Sequence, residues 1–159
     1  MSNESVTAPK GFLATGVASG VKVSGKLDLG LLYCPSGAKA AALFTTNRIT
    51  SAAVQVCRDH VKARKVYAAV VNSGNANACT GKQGLTNADK MCRATGEQLT
   101  VESEQVLLAS TGIIGHQLPM DKITNGIAVA ASQLSDSPEA GFAFAKAIMT
   151  TDTRAKQAV

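Results

Sequence analysis

Two apolar runs of strand length, each cut off by glycine and small polar residues, constrain this chain more than any other feature. Val66–Val71 (VYAAVV) is continuous and apolar, and it leads into Asn72-Ser73-Gly74-Asn75-Ala76-Asn77-Ala78-Cys79-Thr80-Gly81. The run predicts a buried strand, and the turn-formers predict that it ends at Val71. Val106–Ala109 (VLLA) repeats the pattern and breaks into Ser110-Thr111-Gly112-Ile113-Ile114-Gly115. Strands of this kind need covering layers, so the chain is expected to form a layered α/β or α+β domain.

Composition fits closely stacked layers. Apolar residues make up 45% of the 159 residues, but aromatics only 4%, with no Trp. The core must be built from small and aliphatic side chains, and the length suits one domain. Sixteen Lys+Arg against eleven Asp+Glu leave +5, spread along the chain rather than gathered into a run. Nucleic-acid binding needs clustered basic residues, often with stacking aromatics, so no nucleic-acid partner is expected. No stretch approaches the length of a membrane span. Met1 to Lys10 is polar, contains Glu4 and precedes no apolar signal core, so a cytoplasmic location is expected. Cys34, Cys57, Cys79 and Cys92 form no C-x-x-C pair, and neither His60 nor His116 stands beside one of them. All four are expected to be buried, reduced thiols, and no metal site is expected.

Other elements follow from pattern. Residues 11–25 (GFLATGVASGVKVSG) suit an opening strand or hairpin, and Ala40–Thr46 and Ala52–Cys57 read as two short strands. Thr86–Gln98 reads as a helix with Thr86 or Asn87 as N-cap and Met91, Ala94 and Thr95 facing inward. Met120–Leu134 repeats Ile123, Ile127, Ala130, Ala131 and Leu134 at helical spacing. Ser137, Pro138 and Glu139 start a further helix whose inner face is expected to hold Phe142, Ala145 and Met149. No internal repeat or linker divides the chain.

Three segments offer chemistry. At VLLASTGIIG a strand ending in Ser-Thr-Gly exposes main-chain N–H groups, and Gly112 permits close approach of a ligand. That arrangement suits an oxyanion hole, with the Thr111 hydroxyl and the Gly112 N–H as donors, or a phosphate nest, or an ordinary strand corner. VVNSGNANACTG is a Gly/Asn-rich loop that lacks the G-x-G-x-x-G and P-loop patterns; it fits either the rim of a cleft or a solvated turn. AIMTTDTRAK places three threonines around Asp152 at a helix exit, where Asp152 and Arg154 are expected to pair, or Arg154 and Lys156 to meet a carboxylate ligand. His60 lies in a charged stretch and is expected to be solvated; His116 follows the STGIIG corner without a partner that spacing nominates.

In this order PKGFLATGVASGVK, ALFTTNRITSAAVQVCR, VVNSGNANACTG, LLASTGIIGHQLPMDKI and AIMTTDT resemble the glutamate N-acetyltransferase/ornithine acetyltransferase family of arginine biosynthesis over nearly the whole chain. The resemblance implies a layered α/β/β/α sandwich similar to the N-terminal-nucleophile hydrolases, of the DmpA/ornithine-acetyltransferase-like type. It implies a precursor that cuts itself before a threonine, and a β chain whose new N-terminal threonine carries acetyl from N2-acetyl-L-ornithine to L-glutamate. Thr111 and Gly112 would form the oxyanion hole, and Thr150 would contact substrate. No bound cofactor is implied, and acetyl-CoA enters only as co-substrate of the family's second activity. The implied partners are the β chain of the same precursor and further copies in an α2β2 or higher oligomer. The family's cleavage segment, a Gly-x-Ala-Lys-Gly run leading to Pro-x-Met-Ala and the nucleophilic threonine, is not in this sequence. The chain is therefore expected to be the N-terminal portion of the α chain, inactive alone. The alternatives are a same-fold aminopeptidase and a non-catalytic fragment or paralogue that only binds a ligand or partner.

Overall fold

The computed structural model describes residues 5–157, so Met1–Glu4 of the polar N-terminus and the final Ala158-Val159 lie outside the described residues. Strands β1 (Leu13–Val17), β2 (Leu29–Ala38), β3 (Val66–Asn75) and β4 (Val106–Ile113) form one sheet in the order β1-β2-β3-β4. β1 pairs antiparallel with β2 and β2 with β3, whereas β3 and β4 are parallel. Four α-helices accompany them: α1 (Ala52–His60), α2 (Gly81–Leu99), α3 (Met120–Ser132) and α4 (Pro138–Ala147). The expected layered α/β class is what forms. Among the described residues no helix is long and apolar enough to cross a membrane.

Alternation along the strands assigns the helices to faces. Leu29, Leu31, Ala68, Val70, Val106 and Leu108 point one way, into a core with Ala53, Val56 and Cys57 of α1, Met91 and Cys92 of α2, and Ile123 and Ile127 of α3. On the opposite face α4 lies against β1 and β2. It comes so close that a Cβ at Gly16 would sit 2.2 Å from the Ala143 carbonyl oxygen, and one at Gly30 2.9 Å from the Phe144 ring. Glycine at both positions is therefore a packing requirement, and it explains how a core so poor in aromatics closes. Beyond α4 this second face continues over β3 and β4 with Ala69, Val71 and Leu107 half-buried and Ala109 exposed.

The start of α4 is as the sequence predicts: the Ser137 side chain accepts the Ala140 N–H at 3.1 Å, and Pro138 follows. Ser137→Ala should lower stability by about 0.5–2 kcal/mol, read as a small drop in the thermal midpoint; an unchanged midpoint would remove the cap from the account. The inner face of α4 differs from expectation. Gly141, Phe144, Ala145 and Ala147 are buried, while Phe142 faces solvent with the Lys146 ammonium 4.3 Å from its ring centroid.

Four further expectations are corrected. Ala52–Cys57 is the first part of α1, not a strand, because Ser51 caps it by accepting the Val54 N–H, and its buried residues 52, 53, 56 and 57 recur with helical spacing. Residues 39–50 form no strand. Helix α2 starts at Gly81 rather than near Thr86, and Thr86 bonds back to the Lys82 carbonyl from inside the helix. Both apolar runs continue as strands through their supposed turns, since the parallel pairing of β3 and β4 holds to Asn75 and Ile113.

Of the cysteines, Cys34, Cys57 and Cys92 are buried and Cys79 is exposed, and none is bonded to another. Cys57 Sγ takes the N–H of Leu108 and donates to its carbonyl, both at 3.2 Å, while His60 Nδ1 lies 2.7 Å from the Val106 carbonyl oxygen. Cys92 also donates to Val106, at 3.5 Å. His60 is therefore a half-buried partner of the edge strand, not a solvated side chain. Burial pushes the Cys57 thiol above its ordinary range; burial, with nearby Cys57 adding to it, pushes Cys92 up to about 12. At pH 8 the native chain should accept an alkylating label at Cys79 alone, and at all four thiols once unfolded, as intact mass would show. Native labelling of Cys92 at the rate of Cys79 would contradict this packing.

Candidate active-site cleft

A cavity of about 1030 Å³ opens on the α4 side of the sheet, at the end of β3 and β4. Thr111 and Gly112 line its floor and Thr150 its wall, so the three sequence-nominated residues come together. They arrive by different routes. Leu108 points into the helical core, so alternation along β4 turns Thr111 toward the α4 side, and Gly112 follows as the strand's penultimate residue. Thr150 stands just past α4, whose C-terminal end is tied down to the sheet.

The floor is a glycine pair. Gly74 and Gly112 are register partners in the parallel ladder, with φ of +105° and +134°. A Cβ on Gly112 would lie 2.4 Å from the Gly74 carbonyl carbon and 2.7 Å from the Asn75 nitrogen. A Cβ on Gly74 would meet Cγ of Lys22 at 2.9 Å. The glycines of the NSG and STG segments are thus one structural feature: they let two backbones and a lysine stem converge where a ligand would sit.

Two ties hold the wall. Ser73 Oγ donates to the Ala147 carbonyl at the end of α4. Lys22 Nζ donates to the Leu27 carbonyl at 2.9 Å and to the Met149 carbonyl at 2.7 Å. The loop that carries Lys22 is itself anchored on Asp28, which is fully buried and accepts the N–H and hydroxyl of Ser19 and the N–H of Lys22, all within 2.8 Å. Burial lowers the Lys22 pKa, and Asp28 works against that shift. Sequence reasoning missed Lys22, Asp28 and Ser73. Only Ser19 offers a side-chain partner, so no pairing of residue types announces them.

Electrostatically the cleft favours anions. Lys22, Lys26 and Lys146 line it against the single carboxylate of Asp152. The expected Asp152–Arg154 pair does not form; Asp152 instead takes Lys156 Nζ at 2.6 Å, four residues on, and that bond holds its carboxyl below the usual range. His116 is exposed and does not line the cleft. The remainder of the Gly/Asn-rich segment is neither rim nor solvated turn but a brace. Asn77 receives Thr80 Oγ1 and donates to the Gly84 carbonyl, Asn75 donates to the Gln117 carbonyl, and Gln117 donates to the Thr80 carbonyl. Only its first glycine, Gly74, reaches the cavity.

Comparison with known proteins agrees with the motifs. A profile of the ArgJ family matches residues 13–159. The chain is 50% identical over 148 residues, 93% of its length, to the arginine biosynthesis bifunctional protein ArgJ of Caldanaerobacter subterraneus, covering 36% of that protein. It is 46% identical over 155 residues to ArgJ of Symbiobacterium thermophilum, covering 38% of it. The chain thus spans little more than a third of these relatives' length. Among solved structures, ornithine acetyltransferase from Mycobacterium tuberculosis in complex with ornithine superposes with a TM-score of 0.92 at 38% identity, covering 97% of this chain and 83% of that one. ArgJ from Bacillus halodurans gives 0.91 at 41%, covering 97% and 80%. With the family's motifs gathered around one cleft and a profile match from the first strand onward, the chain belongs to the ArgJ family.

Proposed function

We propose that this chain is the substrate-binding and oxyanion-stabilising part of an ornithine acetyltransferase, an enzyme of arginine biosynthesis in the cytoplasm. It moves acetyl from N2-acetyl-L-ornithine to L-glutamate in two steps. A threonine on a β chain of the same precursor attacks the acetyl carbonyl, the carbonyl oxygen takes up negative charge, and the Thr111 hydroxyl and Gly112 N–H donate to it. Collapse of that intermediate releases ornithine, and the amine of glutamate then repeats the attack on the acetyl-threonine. Thr150 contacts the amino-acid part of the substrate. The reaction needs no bound cofactor, and acetyl-CoA serves at most as an alternative acetyl donor.

The observation that carries this reading is the convergence of Thr111, Gly112 and Thr150 on one cleft bordered by lysines. A relative whose structure holds ornithine supports the substrate class. The lysines suit the carboxylates that N-acetylornithine and glutamate share. The incompletely covered sheet face at Ala69, Val71, Leu107 and Ala109 is where the β chain packs, adding the second sheet of the α/β/β/α sandwich in an α2β2 or larger assembly.

The test is acetyl transfer by the complete protein, supplied with N-acetylornithine and glutamate. Appearance of N-acetylglutamate and ornithine in equal amounts supports transfer. Ornithine with free acetate would make it a hydrolase, and no turnover by an intact precursor would make it a binding protein.

A further inference from the structure

We propose that Lys22 is a positioning residue that straps the two walls of the cleft together and so sets where Thr150 stands relative to the Gly112 floor. The inference rests on the acetyl-transfer reading for its functional meaning, but its geometry does not. Lys22 touches three parts of the site at once. Its stem crosses Gly74, where a Cβ would collide with Cγ at 2.9 Å, so the glycine leaves the channel through which the side chain runs. Its ammonium takes the Leu27 carbonyl from its own loop and the Met149 carbonyl from the chain leaving α4, residues 127 apart in sequence from Lys22 in the second case. Its main-chain N–H is fixed on the buried Asp28 carboxylate.

Charge-assisted bonds of this kind are the stronger class of hydrogen bond, and two of them end next to Thr150 and on the opposite wall. Without the ammonium, the side-chain hydrogen bond left between the sheet and this end of α4 among the described residues is Ser73–Ala147, upstream of 149–152. Lysine rather than arginine suits the position because its compact ammonium reaches two main-chain oxygens from one point, on a stem narrow enough to pass over Gly74. The lowered pKa of Lys22 is in keeping with an ammonium drawn out of solvent.

The experiment compares the wild-type chain with Lys22→Met, which keeps the stem and removes the donors, and with Lys22→Arg, which restores donors. Amide hydrogen exchange is read at 21–27 and 149–152, with β1–β4 as internal reference. In Lys22→Met both segments should exchange faster by about tenfold or more while the strands keep their protection, and Lys22→Arg should recover part of the difference. Wild-type exchange at 149–152 in a folded Lys22→Met would overturn the strap, as would faster exchange of the whole sheet, which would make Lys22 an ordinary stability residue. In the complete enzyme Lys22→Met should raise KM for N-acetylornithine by about tenfold and change kcat less, since a displaced Thr150 weakens substrate binding more than oxyanion stabilisation. Exchange needs no turnover. Its failure counts against the strap alone, whereas absent transfer by the wild-type enzyme with the exchange pattern intact counts against the acetyltransferase reading.

Discussion

Gly112→Ala should cost the fold, not only the reaction. Its added methyl would lie 2.4 Å from the carbonyl carbon of Gly74, an atom of the neighbouring strand that no rotamer change can move aside. Alanine at φ +134° is strained in addition. Strain at such a backbone angle and overpacking against a fixed neighbour each run to about 1–3 kcal/mol. For a chain of this size their sum should lower the thermal midpoint on the order of 5–15 °C. Differential scanning calorimetry of the variant measures this directly. A midpoint equal to wild type would show that β3 and β4 can separate at no cost, and the glycine-pair account of the floor would fail.

Thr111→Ala should do the reverse, leaving the fold and removing the chemistry. The side chain is part-exposed on the cleft floor and makes no hydrogen bond to the described residues, so stability should change little. In the proposed mechanism its hydroxyl acts only when charge builds on the acetyl oxygen. Loss of one such donor typically costs about 2.7–4 kcal/mol of transition-state stabilisation, or roughly 10²–10³ in rate. In the complete enzyme, kcat for transfer should fall by that amount with KM for N-acetylornithine little altered. Precursor self-cleavage should slow as well if the same donors serve it. Full activity in the variant would remove Thr111 from the oxyanion hole.

The sequence disclosed the parts of this molecule that use side-chain pattern and hid those that use backbone. β3, β4, α3 and the capped start of α4 were legible because apolar runs, helical spacing and Ser-Pro-Glu leave direct traces. Strand β2 was not recognised, since LGLLYCPSGA carries two glycines and a proline that normally argue against a strand. Its glycine at 30 is there to admit Phe144, which a single sequence cannot announce. The turn-rich ends of both apolar runs misled for the same reason. Gly74 and Gly112 look like strand breakers until they are seen side by side, Gly112 making room for β3 and Gly74 for the stem of Lys22. Ala52–Cys57 reads as apolar at strand length, and only the Ser51 cap and its four-residue burial spacing mark it as helical.

In the site, Thr111, Gly112 and Thr150 were reached by motif, and the structure brings them to one cavity. Lys22 was out of reach because its partners are carbonyl oxygens, which every residue possesses. Asp28 was hidden differently: it stands between Leu27 and Leu29, and nothing local distinguishes a buried carboxylate that accepts main-chain N–H groups from a surface one.

The treatment of the sheet's margins bears on how the molecule grows. An uncovered strand margin invites another chain to add itself there, the route by which β proteins polymerise. Here one margin is occupied by Cys57 and His60 on Leu108 and Val106 of β4. At the other, Ala14 of β1 exchanges both main-chain bonds with Ser135. Sideways extension is therefore blunted at both ends, and anything that joins this sheet must stack upon it. A bulky residue at Cys57 that unseats α1 should reopen the β4 margin, and light scattering should then show aggregation that the wild-type chain lacks.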